Sequence, residues 1–156
     1  MVNVIAKAAD QLRMERARAN REKHELPFEI QLRTVGFPPW EREYRFAAVA
    51  VGWDCAPGAK NAPGLKERLQ RAGYSDWKID FAWPAHRIAL EIEGAPGHGR
   101  HTRPIGFRSD IIKYNALTML GWELYRVTGD MVHSGAAINM LVQVFEKREI
   151  VVGNES

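Results

Sequence analysis

The spacing of apolar and polar positions along the chain predicts five helices and four strands. The predicted helices, in which apolar residues recur every three or four positions, span 2–24, 27–35, 64–72, 107–120 and 131–145. The predicted strands, which alternate or are rich in β-favouring residues, span 43–51, 77–83, 88–93 and 122–127. This order of elements predicts an α/β fold with a mixed four-stranded sheet flanked by helices.

Three segments lie outside this regular order. The N-terminal helix loses its apolar stripe after Leu12, and basic residues take over: Arg13, Arg16, Arg18, Arg21 and Lys23. A helix end without an apolar face is not held by core burial, so it projects toward DNA or another subunit, or ends as a solvated helix. Residues 53–74 form an insertion between the first two strands, and residues 148–156 form a tail. We expect one domain over 1–156, with residues 1–24 as a basic helical extension and 25–147 as its core.

Composition narrows the class of protein. A chain of 156 residues, 46% of them hydrophobic and 26% charged, suits one domain with a single core. The single cysteine, Cys55, excludes an intrachain disulfide and a cysteine-based zinc site. No apolar stretch approaches the ~20 residues of a membrane span, and charged residues interrupt the N-terminus where a signal peptide is apolar. We therefore expect a cytoplasmic protein without a membrane partner or a small-molecule cofactor.

Acidic residues occur in two adjacent predicted strands. Asp80 lies within an apolar run, and Glu91 and Glu93 end the next strand, directly before Gly94. Glu91 and Glu93 share one face, because strand side chains repeat every two residues. An unpaired buried carboxylate costs several kcal/mol, and a divalent cation would offset that cost. The acids therefore indicate a metal site, with a solvent-facing acidic strand surface as the alternative.

The charge of the chain, +3 in total, is unevenly distributed. A loop rich in glycine, histidine and arginine follows the acids, and the segment 98–113 carries His98, His101, Arg100, Arg103, Arg108 and Lys113. A basic face beside an acidic pocket suits a polyanion whose phosphate must meet a metal ion. The alternative is a solvated basic helix beside an exposed loop.

Asp80 together with Glu91-Ile92-Glu93 resembles the core motif of the PD-(D/E)XK nucleases. The segments 99–103, 113–115 and 121–122 extend this similarity to archaeal-type Holliday junction resolvases encoded by some phages. The resemblance covers about residues 25–128. It implies a restriction-endonuclease-like core, an endodeoxyribonuclease that cuts four-way DNA junctions as a homodimer, and, for a phage protein, the host cytoplasm.

The resemblance also implies a Mg²⁺ site, in which Mn²⁺ can substitute. Its ligands would be Asp80, Glu91 and the backbone carbonyl of Ile92. Glu25 matches the glutamate of the family's first core helix and would be an outer or second-metal ligand, with Glu29 in reserve.

The catalytic lysine of the family is missing, since its position is occupied by Glu93. Lys113 is our first choice as its replacement, Arg108 is a second, and Glu93 itself can act as a base or as a further ligand. The residues expected to bind DNA are Arg13, Arg16, Arg18, Arg21, Lys23, Arg100, His101, Arg103 and Arg108.

Two other functions stay open from the sequence. One is a nicking endonuclease like those of very-short-patch repair, in which a histidine-bearing loop also comes after the acidic residues in sequence. In this chain His98 or His101 would then be the catalytic base. A DNA-binding accessory module without catalysis would use the same basic residues, and its acids would be structural.

Overall fold

The computed structural model describes residues 11–12, 14–16, 18–19, 21–53, 64–94 and 104–153. Over these residues the chain is α/β, with a four-stranded mixed sheet flanked by helices, in the order β1-β2-β3-β4. The strands are β1 Glu41–Tyr44, β2 Ile79–Trp83, β3 Ile88–Glu93 and β4 Glu123–Thr128. The helices are α1 Leu26–Val35, α2 Phe46–Ala50, α3 Leu65–Ala72, α4 Pro104–Met119, α5 Gly129–His133 and α6 Ala136–Lys147.

The chain divides into two compact units. The first comprises Met1–Pro38, Ile92–Ala95 and Val127–Ser156, and the second comprises Pro39–Glu91 and Pro96–Arg126. Among the described helices, none has the length and apolar character that crossing a membrane requires.

The second unit is built on an antiparallel hairpin. β2 and β3 pair antiparallel, with Phe81 opposite Leu90, and the short 3₁₀ turn Pro84–His86 joins them. β1 pairs antiparallel with the other edge of β2. The core beside this sheet contains eleven buried residues: Tyr44, Phe46, Ala47, Ala48, Leu65, Leu69, Ile79, Ala82, Ala89, Leu117 and Trp122. Both faces of the hairpin are covered near its turn, because the consecutive residues Ile88, Ala89 and Leu90 are all fully buried.

The first unit contains a continuous helical segment from Arg21 to Val35. A π-helical turn, Arg21–Glu25, runs directly into α1, which buries Phe28 and Leu32. Gly36 ends α1 with φ of 83°, where its N–H donates to the carbonyls of Leu32 and Arg33. A residue with a Cβ would be strained in that left-handed conformation, which is why glycine ends the helix.

A close approach to Gly129 fixes the position of His24 in the first unit. A Cβ added to Gly129 would collide with the His24 ring, because the ring lies directly against the glycine backbone. The His24 Nδ1 atom lies 3.2 Å from Nε2 of His133. Burial first, and then the charges of Lys23 and His133, lower the pKa of His24, against an opposing effect of Asp130.

We expect Gly129→Ala to destabilise the protein by about 1–3 kcal/mol, because the new methyl group must displace the His24 ring from a packed position. Urea unfolding followed by circular dichroism measures this difference. Gly94→Ala is the matched control, since a Cβ there meets nothing within 4 Å and Gly94 has no positive φ. Equal unfolding midpoints for the two variants would show that the His24 ring moves aside without cost.

Several predicted elements are confirmed. The helix predicted at 27–35 is α1, the helix at 64–72 is α3, and the helix at 107–120 is the greater part of α4. The strands predicted at 77–83, 88–93 and 122–127 are β2, β3 and β4.

The prediction of a single strand over residues 43–51 is wrong. The strand there is the short β1, and Phe46–Ala50 is a helix. The spacing of Tyr44, Phe46 and Ala48 fitted alternation, but Ala47 is buried as well. Burial of consecutive residues and the high helix propensity of alanine favour a helical turn over a strand with one solvated face.

A further expectation needs correction. The single helix predicted at 131–145 is two helices, because Gly135 with φ of 81° separates α5 from α6. Two isoleucines of α4, Ile111 and Ile112, are 43% and 46% exposed. Trp53 is half-buried, and the Arg45 guanidinium lies 4.4 Å from its ring centroid.

Candidate metal centre

Three carboxylates lie in a row across neighbouring strands of the second unit. The register of β1 with β2 places Glu43 opposite Asp80, and the register of β2 with β3 places Asp80 opposite Glu91. Residues directly opposite one another on antiparallel strands project from the same face of the sheet. We call Glu43, Asp80 and Glu91 the acidic row. Like charges placed opposite one another destabilise a sheet, so this arrangement needs a compensating positive charge.

Glu43 and Asp80 have the spacing of two ligands of one cation. A carboxylate oxygen of Glu43 and one of Asp80 lie within 4.8 Å of each other. Two oxygens bound to one Mg²⁺ or Ca²⁺ are at most about 4–5 Å apart, since each lies about 2.0–2.6 Å from the ion. The pair therefore fits a hard divalent cation with little movement of the side chains.

Lys113 supplies a positive charge at the other end of the row. Its Nζ lies 2.7 Å from Oε1 of Glu91, and both side chains are largely buried, at 13% and 16% exposed. The backbone N–H of Asp80 donates to the second Glu91 oxygen at 3.3 Å. Glu91 is thus held by β2 on one side and by α4 on the other. A partly buried ion pair of this kind is screened less by solvent than a surface pair.

Glu43 has a strained backbone. Its φ is 51°, a conformation that costs a residue with a Cβ about 1–2 kcal/mol. Lys78 lies 3.4 Å from its carboxylate, but both side chains are about half exposed, at 50% and 55%. An exposed pair contributes about 0–1 kcal/mol and does not offset such strain. An observed backbone outlier beside a cluster of acids supports a functional role for that position.

Glu43 was missed by sequence reasoning. The predicted strand began at Glu43 and extended toward Val51, so no register linked it to Asp80. The alternation of Glu41-Arg42-Glu43-Tyr44 ahead of Phe46 was the available signal, because it marks a short strand with one acidic face.

The other predicted site residues are distributed over both units. Asp80, Glu91 and Lys113, in the second unit, are brought together. Glu25 belongs to the first unit, where it is buried at 6% exposure on the π-helical turn. Glu93, two residues beyond Glu91 along β3, is half-buried and also belongs to the first unit.

The structure also gives the positions of the two reserve residues, Glu29 and Arg108, and of the predicted backbone ligand, Ile92. Glu29 forms an ion pair with Arg33 on α1. Ile92, whose carbonyl was a predicted ligand, is a buried residue of β3. Arg108, the second candidate to replace the family lysine, is exposed near the start of α4.

The structure describes some of the predicted DNA-binding residues and not others. Those that the structure describes are exposed: Arg16, Arg18, Arg21, Lys23 and Arg108. Arg18 forms an ion pair with Glu22 one helical turn away. The remaining predicted residues lie outside the described residues, as does the histidine-bearing loop: Arg13, His98, Arg100, His101 and Arg103.

The geometry permits cation-assisted hydrolysis. Carboxylate oxygens are the ligands that Mg²⁺ prefers, and it commonly takes one or two carboxylates while keeping several waters. Glu43 and Asp80 supply that ligand set, and the Glu91–Lys113 pair places an ammonium group at the end of the acidic row. No protein-family model, curated protein sequence or solved structure matches this chain.

Proposed function

We propose that this protein is a Mg²⁺-dependent endodeoxyribonuclease that hydrolyses phosphodiester bonds at the acidic row. The observation that carries the proposal is the alignment of Glu43, Asp80 and Glu91 across three strands, with Lys113 bound to Glu91. The alternative is an ordinary set of ion pairs along these strands, to which Lys113 and Lys78 contribute. What favours a divalent cation is that oxygens of Glu43 and Asp80 lie within 4.8 Å of each other, a separation that suits two ligands of one ion.

Each residue of the row has a distinct part in the proposal. Glu43 and Asp80 would hold the cation, which would supply a water of lowered pKa and polarise the phosphate. Glu91 stays fixed by the Asp80 N–H and by Lys113, and it accepts a hydrogen bond from the attacking water. Lys113 offers its ammonium protons to a phosphate oxygen, where negative charge develops. Glu25, Glu93 and the Ile92 carbonyl stay predictions as further contributors.

The four-way junction is the proposed substrate, and the resemblance of the sequence to junction resolvases supports it. Symmetric cleavage of two strands needs two identical sites, and each chain offers one acidic row. A two-fold homodimer supplies the second site without new sequence. It also presents two basic surfaces to a branched DNA that is itself two-fold symmetric, so selectivity comes from geometry rather than from base contacts.

The test is digestion of an end-labelled four-way junction, beside linear duplex, flap and mismatched duplex, with and without Mg²⁺. We expect Mg²⁺-dependent paired incisions in the junction, and a solution mass of twice the 17.7 kDa chain. Faster nicking of mismatched duplex by a monomer would favour the nicking enzyme instead. Binding without cleavage of any substrate would favour the accessory module.

The basic N-terminal segment should contribute to DNA affinity through the phosphate backbone. Changing Arg16, Arg18 and Arg21 together to alanine should weaken binding and reduce the slope of log affinity against log salt. Each phosphate that the protein no longer neutralises lowers this slope by about one unit, because fewer counterions are released. Fluorescence anisotropy at several salt concentrations measures the slope.

The control for this experiment removes the same charge elsewhere. Lys66, Arg71 and Lys147 are exposed basic residues outside the N-terminal segment, and their triple alanine variant changes net charge equally. An equal decrease of slope in both triple variants would contradict specific phosphate binding by the N-terminal segment.

A further inference from the structure

Two histidines of the first unit have their ring nitrogens at the spacing of zinc ligands. His24 Nδ1 and His133 Nε2 lie 3.2 Å apart, although 109 positions separate the residues in sequence. In a tetrahedral zinc site with Zn–N distances of about 2.0–2.1 Å, two ligand nitrogens lie about 3.3–3.4 Å apart. The two rings are hydrogen-bonded to each other at this distance, which is also close to the separation that one zinc ion imposes on two ligands.

The surrounding backbone holds both rings in place. The His24 ring rests on Gly129, where any Cβ would collide with it. His133 is the last residue of α5, whose start is capped by the Thr128 side chain accepting from the Met131 N–H. Gln31 of α1 donates to the Val132 carbonyl at 2.9 Å, which fixes α5 beside α1. Ligands positioned in advance lose little entropy when a metal binds.

An acidic residue lies near the two histidines, although its carboxylate does not form a group of three ligand atoms within 4.8 Å of one another with their ring nitrogens. Asp130 lies three residues before His133 on α5, so the two side chains project from the same face of the helix. The negative charge of Asp130 is close enough to act on the His24 imidazole. His133 and Asp130 are exposed, so an ion has access from solvent.

We propose that His24 and His133 bind a zinc ion, with water in its remaining coordination positions and Asp130 as a further ligand only after its side chain rotates toward the ion. Imidazole nitrogens select Zn²⁺ over the hard cations that suit the acidic row, so the two sites take different metals. The zinc ion would tie the π-helical turn before α1 to α5, and would stabilise the fold of the first unit. This site does not depend on the proposed nuclease function.

Titration of the purified full chain with Zn²⁺ against a chromophoric chelator tests the proposal. We expect one site of micromolar or tighter affinity, weakened at least about tenfold by His24→Ala and by His133→Ala, since each removes one of two nitrogen ligands. His86→Ala, in the second unit, is the matched histidine control and should leave the affinity unchanged. Asp80→Asn should also leave it unchanged, which separates this site from the acidic row.

A spectroscopic measurement on the wild-type chain gives a result that does not depend on whether the histidine variants fold. Cu²⁺ bound to the wild-type chain at one equivalent should show electron paramagnetic resonance couplings to two imidazole nitrogens. Loss of one coupling in His133→Ala is the expected result. Wild-type zinc affinity in both histidine variants, or bound Cu²⁺ without nitrogen coupling, would overturn the proposal.

Discussion

Asp80→Asn should abolish DNA cleavage while leaving the fold and DNA binding intact. The amide keeps the size of the side chain but removes the charge that, in the proposed site, would hold the cation beside Glu43. Losing several kcal/mol of transition-state charge stabilisation corresponds to a rate decrease of about 1,000-fold or more. Single-turnover digestion of a labelled junction measures the rate, and thermal unfolding checks the fold.

Asp76→Asn is the matched control for this substitution. Asp76 belongs to the same unit and pairs with Arg45, but it lies outside the acidic row. We expect its cleavage rate to stay within about threefold of wild type, because Asp76 holds no cation in the proposal, and thermal unfolding reports any loss of its two hydrogen bonds with the largely buried Arg45 side chain. Wild-type turnover by purified Asp80→Asn would remove the acidic row from the mechanism.

Lys113→Met should separate metal binding from catalysis. Methionine preserves much of the aliphatic length of lysine but removes the ammonium group 2.7 Å from Glu91. Without this charge the transition-state phosphate loses a donor, so cleavage should slow by about 100–1,000-fold. Affinity for the divalent cation should stay equal or increase, because a competing positive charge beside the carboxylates is gone.

Lys78→Met provides the comparison for Lys113→Met. It removes the same charge beside another member of the acidic row, Glu43, but from a half-exposed pair with a longer distance of 3.4 Å. Solvent screening makes that charge less effective, so we expect a change in cleavage rate of less than about threefold. A Lys113→Met enzyme as fast as Lys78→Met would show that Lys113 only neutralises Glu91.

Local signals explain the parts of the fold that could be predicted. The β2–β3 hairpin follows from two apolar runs separated by a short proline-containing turn, and α1 ends where Gly36 allows a positive φ. Asp80 and Glu91 could be singled out because acids within apolar strands conflict with their surroundings. Lys113 was singled out because the resemblance lacks its lysine at Glu93 and Lys113 is a basic residue on the following predicted helix; its contact with Glu91 is a finding of the structure.

Long-range packing explains the parts that could not be predicted. Whether Phe46–Ala50 is a strand or a helix depends on which of its faces are buried, and local alternation does not contain that information. Glu43 joins the acidic row only through the register of β1 with β2. His24 and His133 meet through the packing of α1 and α5, and neither histidine has a sequence motif around it.

Titration with Mn²⁺, followed by electron paramagnetic resonance of the free ion, tests most directly the proposal that the acidic row binds a cation. We expect a Mn²⁺ site in the wild-type chain that is lost in both Glu43→Gln and Asp80→Asn, and retained in the control Glu67→Gln on α3. Glu67 is exposed and lies outside the row. Mn²⁺ binding that is the same in all four proteins would contradict a cation held between Glu43 and Asp80.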